Sequence, residues 1–262
     1  MIRKSLQSLP GLVMAGTANA DWALNMPRGV TELSAETYDL HMLVFWWCVG
    51  IGVLVFGVMI VSLIRHRKST GAEAATFSHS TIAEVIWTTI PVVILLLIAV
   101  PTAKTMIKLE DSRNPDVSIV VTGYQWNWHY KYQDQGVEFY SNLARTSVAA
   151  RAKESGVDPY SVENYLLEVD NPIVVPRGKK VRLLLTSNDV IHSWWVPELA
   201  VKRDAIPGMI NELWFRAEQS GTYRGQCAEL CGAGHGYMPI VVEVVEPEAY
   251  QVWVQSRSEN ES

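Results

Sequence analysis

Two thiols, an imidazole and a thioether crowd into one short stretch, CAELCGAGHGYM, which runs from Cys227 to Met238. Cys227 and Cys231 are four positions apart, His235 follows four later and Met238 three beyond that; His192 stands upstream in DVIHSWWVP. The whole chain has only 3 Cys and 6 His, so the crowding is a chemical signal. Soft sulfur with imidazole selects copper over magnesium or calcium, with zinc as the chief competitor. Three readings stay open on ligand chemistry alone. A disulfide between Cys227 and Cys231 suits an oxidising compartment, but leaves the His and Met spacing without a purpose. Structural zinc wants four His/Cys ligands and has no use for a thioether. A mononuclear blue-copper site takes one Cys, two His and a weak Met, which leaves one thiolate over. Two coppers bridged by both sulfurs would use it, each completed by one imidazole and a weak axial group. The third cysteine, Cys48, lies alone in an apolar run and reads as a buried small hydrophobe.

Ligands this far apart along the chain need a folded scaffold, and the second half of the sequence supplies one. After residue 108, continuous apolar runs give way to short alternating ones bounded by turn signals. Strands are expected over 117–122, 126–132, 165–169, 173–175, 181–186, 192–196, 212–216, 221–225 and 239–245, with turns at Asn171-Pro172, 176–179 and Pro207-Gly208. Short strands at this spacing predict a β-sandwich or barrel, assigned to residues 109–247 and followed by a tail over 248–262. Residues 143–154 are Ala-rich and read as a surface helix of no chemical interest, and Trp128, Trp194 and Trp195 read as packing residues.

The first half anchors this domain. The start Met1-Ile2-Arg3-Lys4, a short apolar region and Ala18-Asn19-Ala20 fit a signal peptide over 1–20, cleaved after Ala20. Residues 40–64 contain His41 and Cys48 as their only ionisable members, and at about 1.5 Å per residue they exceed the ~30 Å hydrocarbon core. A second run, 82–103, is interrupted only by Glu84, Pro91 and Pro101. The loop between them, 65–81, opens with Arg65, His66, Arg67 and Lys68, which places it in the cytoplasm and both mature termini outside. The outer segment 21–39 carries Glu32, Glu36 and Asp39. Thr81-Ile-Ala-Glu84 has the form of a capping box, yet an acid at a bilayer boundary is also a functional candidate.

Composition narrows the partners. Hydrophobic residues make up 48% and charged residues 19%, below the roughly 25% charged of an average soluble domain, which excludes disorder and argues against nucleic-acid binding. Net charge is −5, but the first 108 residues carry 8 Lys+Arg against 6 Asp+Glu. The outer domain therefore holds the acidic excess and suits a basic partner.

Several motifs occur together: CAELCGAGHGYMP, DVIHSWWVP, DAIPG over 204–208, GYQWNWHYKY over 123–132 and EVIWTTIP in the second apolar run. In this combination the chain resembles the cytochrome c oxidase subunit 2 family over nearly all of its mature length. The resemblance implies a two-helix transmembrane hairpin followed by a cupredoxin-like β-barrel holding the binuclear copper centre CuA. Carried over residue by residue, Cys227 and Cys231 would bridge the coppers, His192 and His235 would each bind one, and Met238 would be a weak ligand. The backbone carbonyl of Glu229 would be the other weak ligand, and its carboxylate would reach a magnesium or manganese ion shared with subunit 1. Trp126 would be where the electron arrives from cytochrome c, and Glu84 would stand at the cytoplasmic mouth of a proton-uptake route. The partners implied are the haem-bearing subunit 1, subunit 3, cytochrome c and membrane lipid, in a bacterial inner membrane. Haem belongs to the partner alone, so the chain is an enzyme subunit without oxygen chemistry of its own.

The family's QWYWSYEY is here QWNWHYKY, with Asn127, His129 and Lys131 in place of Tyr, Ser and Glu, and Met209 stands where Arg often follows Pro-Gly. Lys131 reverses a charge near Trp126, leaving Asp170 and Asp189 as candidate docking acids. A quinol oxidase subunit of the same architecture would lack Cys227, Cys231, His192 and His235. A membrane-anchored copper carrier would keep the sulfurs but has no need of Trp126, Glu84 or the Glu229 carboxylate.

Overall fold

The computed structural model describes residues 25–152 and 154–259; the expected signal segment, 1–20, lies outside them. Helix α1 (Glu32–Arg65) begins well before the apolar run at residue 40. Thr31 and Ser34 cap it reciprocally, side chain to backbone N–H in both directions at 2.9 Å. This first turn belongs to the outer domain: Leu33 is buried, Thr31 Oγ1 donates to the carbonyl of Leu199, Val30 N donates to Glu198 and Glu218 N to Val30.

Helix α2 (Thr81–Leu109) is capped by Ser80, whose hydroxyl accepts from Ala83 N, so the box expected from Thr81 to Glu84 does not form. The two helices carry 18-residue windows of mean hydropathy 2.6 and 2.4, with none of those residues buried. Their apolar faces are left for lipid or for partner helices. Cys48 is exposed on α1, not buried as expected, because the neighbouring helix does not cover its face. Lys108 joins the helices, reaching Glu32 at 2.6 Å and Glu36 at 2.5 Å.

Two five-stranded sheets form the outer domain. The first is built from β1 (Val117–Tyr124), β2 (Asn127–Tyr132), β3 (Val137–Ser141), β5 (Val181–Ser187) and β8 (Asn211–Phe215), in the order β3-β2-β1-β5-β8. The second runs β4-β10-β9-β6-β7, from β4 (Ile173–Pro176), β6 (His192–Val196), β7 (Val201–Ala205), β9 (Gly221–Cys227) and β10 (Pro239–Val245). Alternation puts Ile119, Val121, Leu183, Leu185, Ile240 and Val242 into one shared core. Trp194 crosses between the sheets, stacking on Phe215 at 6.4 Å and donating its indole N–H to Tyr130 Oη at 3.2 Å.

Three expectations are corrected. The run 165–169 makes no strand, because Asn164 and Leu166 adopt positive φ and break the extended backbone; only Val169 bridges, to Leu143. Conversely, β7 carries Lys202, Arg203 and Asp204 in its middle, a charged edge strand that apolar alternation does not reveal. The supposed tail contains α4 (Pro247–Ser258), started by Pro247 and held by buried Tyr250 and by Trp253 against Tyr132. The short helix α3 (Arg145–Arg151) falls within the expected 143–154.

The domain is also fixed to α2. Trp214 Nε1 donates to the Lys108 carbonyl at 3.1 Å, Arg203 pairs with Glu110 at 2.7 Å, and Lys180 Nζ donates to the carbonyls of Asp111 and Arg113.

Candidate metal centre

Adjacent strands of the second sheet bring the ligands together. β6 and β9 are antiparallel neighbours with Trp194 opposite Cys227, so His192 lies close to the end of β9. The chain then leaves the sheet, loops through Glu229, Cys231 and His235, and re-enters as β10 just after Met238. Two hydrogen bonds hold the loop: Ala228 N donates to Ser193 O at 2.9 Å, and Trp128 Nε1 to Met238 O at 3.2 Å.

The donor atoms converge. Cys227 Sγ and Cys231 Sγ are 3.9 Å apart, about twice a disulfide bond, and both thiols are free. His192 turns Nδ1 toward Cys227 Sγ at 3.9 Å, and His235 turns Nδ1 toward Cys231 Sγ at 3.6 Å. Met238 Sδ lies 3.6 Å from Cys231 Sγ, and the Glu229 carbonyl oxygen 3.4 Å from Cys227 Sγ. The ligating atoms of His192, Cys227 and Cys231 all fall within 4.8 Å of one another, and all three residues are buried. Three sulfurs and two imidazole nitrogens, with His235 half-buried and the rest buried, form a soft set that fits copper, and the thioether sets it apart from structural zinc.

Electrostatics favour one thiolate before any metal arrives. Burial pushes the Cys227 thiol up, but hydrogen bonds from His192, the backbone beside it and His235 outweigh this and bring it down to about 7. Burial and the neighbouring Cys227 push Cys231 up to about 12.

Around the ligands lies a polar support that sequence reasoning assigned differently. Asp189 Oδ1 accepts from His192 Nε2 at 2.9 Å, which leaves Nδ1 for the sulfur side. The carboxylate is fixed by the backbone N–H of Gln125 at 2.7 Å and of Val190 at 2.6 Å. Burial opposes its charge, but the hydrogen bonds from His192 and the two amides hold Asp189 below the ordinary carboxylate value. Asp170 is likewise engaged, accepting from Asn142 N and Nδ2 at 2.8 and 3.0 Å. The cue for Asp189 is its place three residues before His192; the cue for Gln125 is only its place before Trp126.

Trp126 lies over the loop, 36% exposed. Its Nε1 donates to the Cys231 carbonyl at 3.2 Å, and Gln125 Nε2 donates to the same oxygen at 2.8 Å. Gly234 allows the ring to lie flat: a Cβ there would be 2.2 Å from Trp126 Cδ2. Gly123 has the same service toward His192, since a Cβ would sit 2.7 Å from its Cδ2. Trp128 and Trp194 are fully buried, while Trp195 is 38% exposed. Glu229 is exposed on the loop, and Glu84 is exposed in the first turns of α2, far along the chain from the metal ligands.

Comparison with known proteins places this geometry. The family described as cytochrome C oxidase subunit II, periplasmic domain, matches residues 117–245, and its transmembrane domain matches 19–105. A probable cytochrome c oxidase subunit 2 from Rickettsia bellii is 38% identical over 238 residues, covering 90% of this chain and 85% of the relative. The chain belongs to the cytochrome c oxidase subunit II family. Cytochrome c oxidase subunit 2 of Cereibacter sphaeroides is 38% identical over 217 residues, 79% of this chain and 71% of that one. The crystallised periplasmic domain of cytochrome oxidase subunit II from Bradyrhizobium japonicum is 39% identical with a TM-score of 0.50, covering 57% of this chain and 98% of that domain. As a member of the cytochrome c oxidase subunit II family, the chain is part of an oxidoreductase complex with other oxidase subunits. Its His192, Cys227 and Cys231 cluster is consistent with a copper site.

Proposed function

We propose that this chain is the electron-accepting subunit of a respiratory, proton-pumping oxidase, taking electrons from reduced cytochrome c and passing them to haem in subunit 1. The observation that carries the reading is the convergence of two unbonded cysteine sulfurs, two imidazole Nδ1 atoms, a thioether and a backbone carbonyl on one buried point. Copper held there would supply one-electron transfer. Cys227, Cys231, His192 and His235 would hold it, with Met238 and the Glu229 carbonyl as weaker ligands.

The chain's residues prepare that chemistry. Asp189 fixes the His192 ring so that Nδ1 is presented without reorientation. Trp126 offers an exposed aromatic edge, and its N–H connects directly to the carbonyl of Cys231. That hydrogen bond supports the reading of Trp126 as the point where the electron arrives. The exposed Glu229 carboxylate is available for magnesium or manganese shared with subunit 1. Glu84 is not engaged in a capping box, which leaves its carboxylate for proton uptake. In this reading the β domain is periplasmic, the 65–81 loop cytoplasmic and residues 1–20 a cleaved signal peptide in a bacterial inner membrane. Subunit 3 joins the same complex.

The test uses the full chain in detergent, loaded with copper. Two coppers per chain sharing one unpaired electron in the paramagnetic resonance spectrum, lost in Cys227→Ser, are expected. One copper with a mononuclear spectrum would instead describe a membrane-anchored carrier.

A further inference from the structure

The ligand loop is anchored at both ends, by Ala228 N to Ser193 O at its start and by Trp128 Nε1 to Met238 O at its close. Among the described residues, the hydrogen bonds that join positions 229–234 to the rest of the domain both end on one atom, the carbonyl oxygen of Cys231. Gln125 Nε2 reaches it at 2.8 Å and Trp126 Nε1 at 3.2 Å, so the amide makes the shorter bond. A carbonyl oxygen has two lone pairs, and both are then engaged. Gly232 permits the approach: its φ is +114°, and a Cβ there would lie 3.2 Å from Gln125 Nε2 and 3.3 Å from Trp126 Cζ2.

Gln125 also reaches the other half of the site. Its backbone N–H donates to Asp189 Oδ2 at 2.7 Å, and the second oxygen of that carboxylate accepts from His192 Nε2. One residue in the turn between β1 and β2 thus serves the support of an imidazole with its main chain and the peptide of a thiol with its side chain. His192 and Cys231 come from different parts of the chain, and Cys227 Sγ stands between them, 3.9 Å from His192 Nδ1 and 3.9 Å from Cys231 Sγ. A carbonyl held by two donors fixes the plane of its peptide, and with it the direction in which the adjoining Cα–Cβ bond of Cys231 points. Gln125 is itself exposed and lies outside the buried core, so packing does not account for its place.

We propose that Gln125 is a positioning residue of the copper site, holding the Cys231 thiol in line with Cys227 and His192 through the hydrogen bond from its side-chain amide. The proposal rests on the reading of this cluster as a copper site. It asks nothing of the electron route through Trp126. Groups behind a metal's ligands fix ligand orientation and tune the metal, and here that support is an amide acting on a backbone oxygen.

The full chain in detergent is compared as wild type, Gln125→Met and Gln125→Glu, first free of copper and then loaded with it. Gln125→Met keeps the length and loses the donor, whereas Gln125→Glu sets an oxygen against the carbonyl. Both retain the backbone N–H that serves Asp189, so the fold is expected to hold. Without copper, alkylation of Cys231 by iodoacetamide, followed by peptide mass mapping, is expected to be severalfold faster in Gln125→Met and faster still in Gln125→Glu. Cys48, exposed on α1, reacts at one rate in all three and serves as the control. With copper, retention against a chelator is expected to fall about tenfold, in the same order of variants, and the copper hyperfine splitting in the paramagnetic resonance spectrum to change. A side chain that merely fills space would leave Gln125→Met like wild type, and that result overturns the proposal. Wild type that binds no copper would sink the copper reading and this proposal with it. Wild type that shows its copper spectrum, with neither variant moving the spectrum or the Cys231 rate, would sink the positioning role alone.

Discussion

The carboxylate of Asp189 holds one nitrogen of the His192 ring at 2.9 Å while the other faces Cys227 Sγ at 3.9 Å. A ring gripped in this way has one orientation and one tautomer to offer a metal. Asp189→Ala removes the grip and leaves every proposed ligand in place. Copper affinity, read by competition with a chelator, is expected to fall about 10- to 100-fold, with a shifted reduction potential. Unchanged affinity and potential would show that strand β6 alone orients the ring.

Gly123 tests the same ligand from its other side. In Gly123→Ala the new methyl meets His192 Cδ2 at 2.7 Å, in a site where the backbone of β1 is fixed by pairing to both β2 and β5. The ring must move, so an altered copper spectrum or loss of one copper is expected, with the β-sheet circular dichroism retained. A wild-type spectrum would mean that β1 yields instead.

Gly234→Ala addresses Trp126. A methyl 2.2 Å from Cδ2 cannot be accommodated without lifting the indole from the loop and stretching its hydrogen bond to Cys231. The expected result is severalfold slower oxidation of cytochrome c. Overpacking of this kind costs about 1–3 kcal/mol, read as a lower thermal midpoint. Full copper content with an undiminished rate would count against the proposed route.

At the far end of α2, Ser80 and Glu84 separate a structural role from a functional one. Ser80→Ala deletes the cap and is expected to cost about 1 kcal/mol in stability with turnover retained. Glu84→Gln is expected to slow oxygen consumption by the intact complex while leaving reduction of the copper site by its donor unaffected. Equal turnover in both variants would remove Glu84 from the proton route.

The parts of the site that were legible in sequence are those held within one loop. Cys227, Cys231, His235 and Met238 are spaced so that a single turn out of β9 can aim all four inward, and their residue types state their chemistry. His192 is distant along the chain, and its motif marks it only through family resemblance; pairing of β6 with β9 explains the meeting. Asp189 was legible only as a candidate docking acid, because its partners, Gln125 N and His192, come from different elements. The fold divides in the same way. Most strands with alternating burial were visible, but β3 was not among those expected, and β7 is hidden by three consecutive charged residues on an edge. The run 165–169 misleads because two left-handed residues interrupt apolar chemistry suited to a strand. Helix α4 shows only a sparse apolar stripe, and its partner Tyr132 lies far upstream.

The knot of contacts at the membrane end of the domain has a mechanical consequence. Lys108 grips Glu32 and Glu36 across the hairpin, Thr31 and Val30 are sewn into the strands' connections, and Trp214, Arg203 and Lys180 hold the end of α2. The domain is thus a stiff bracket, and its loop stands at a set height above the helices. Tunnelling falls steeply with separation, so a site that swayed would deliver electrons at a fluctuating rate. Under the proposed role this mounting would keep the onward gap constant, and the mobile partner in the exchange would be the donor.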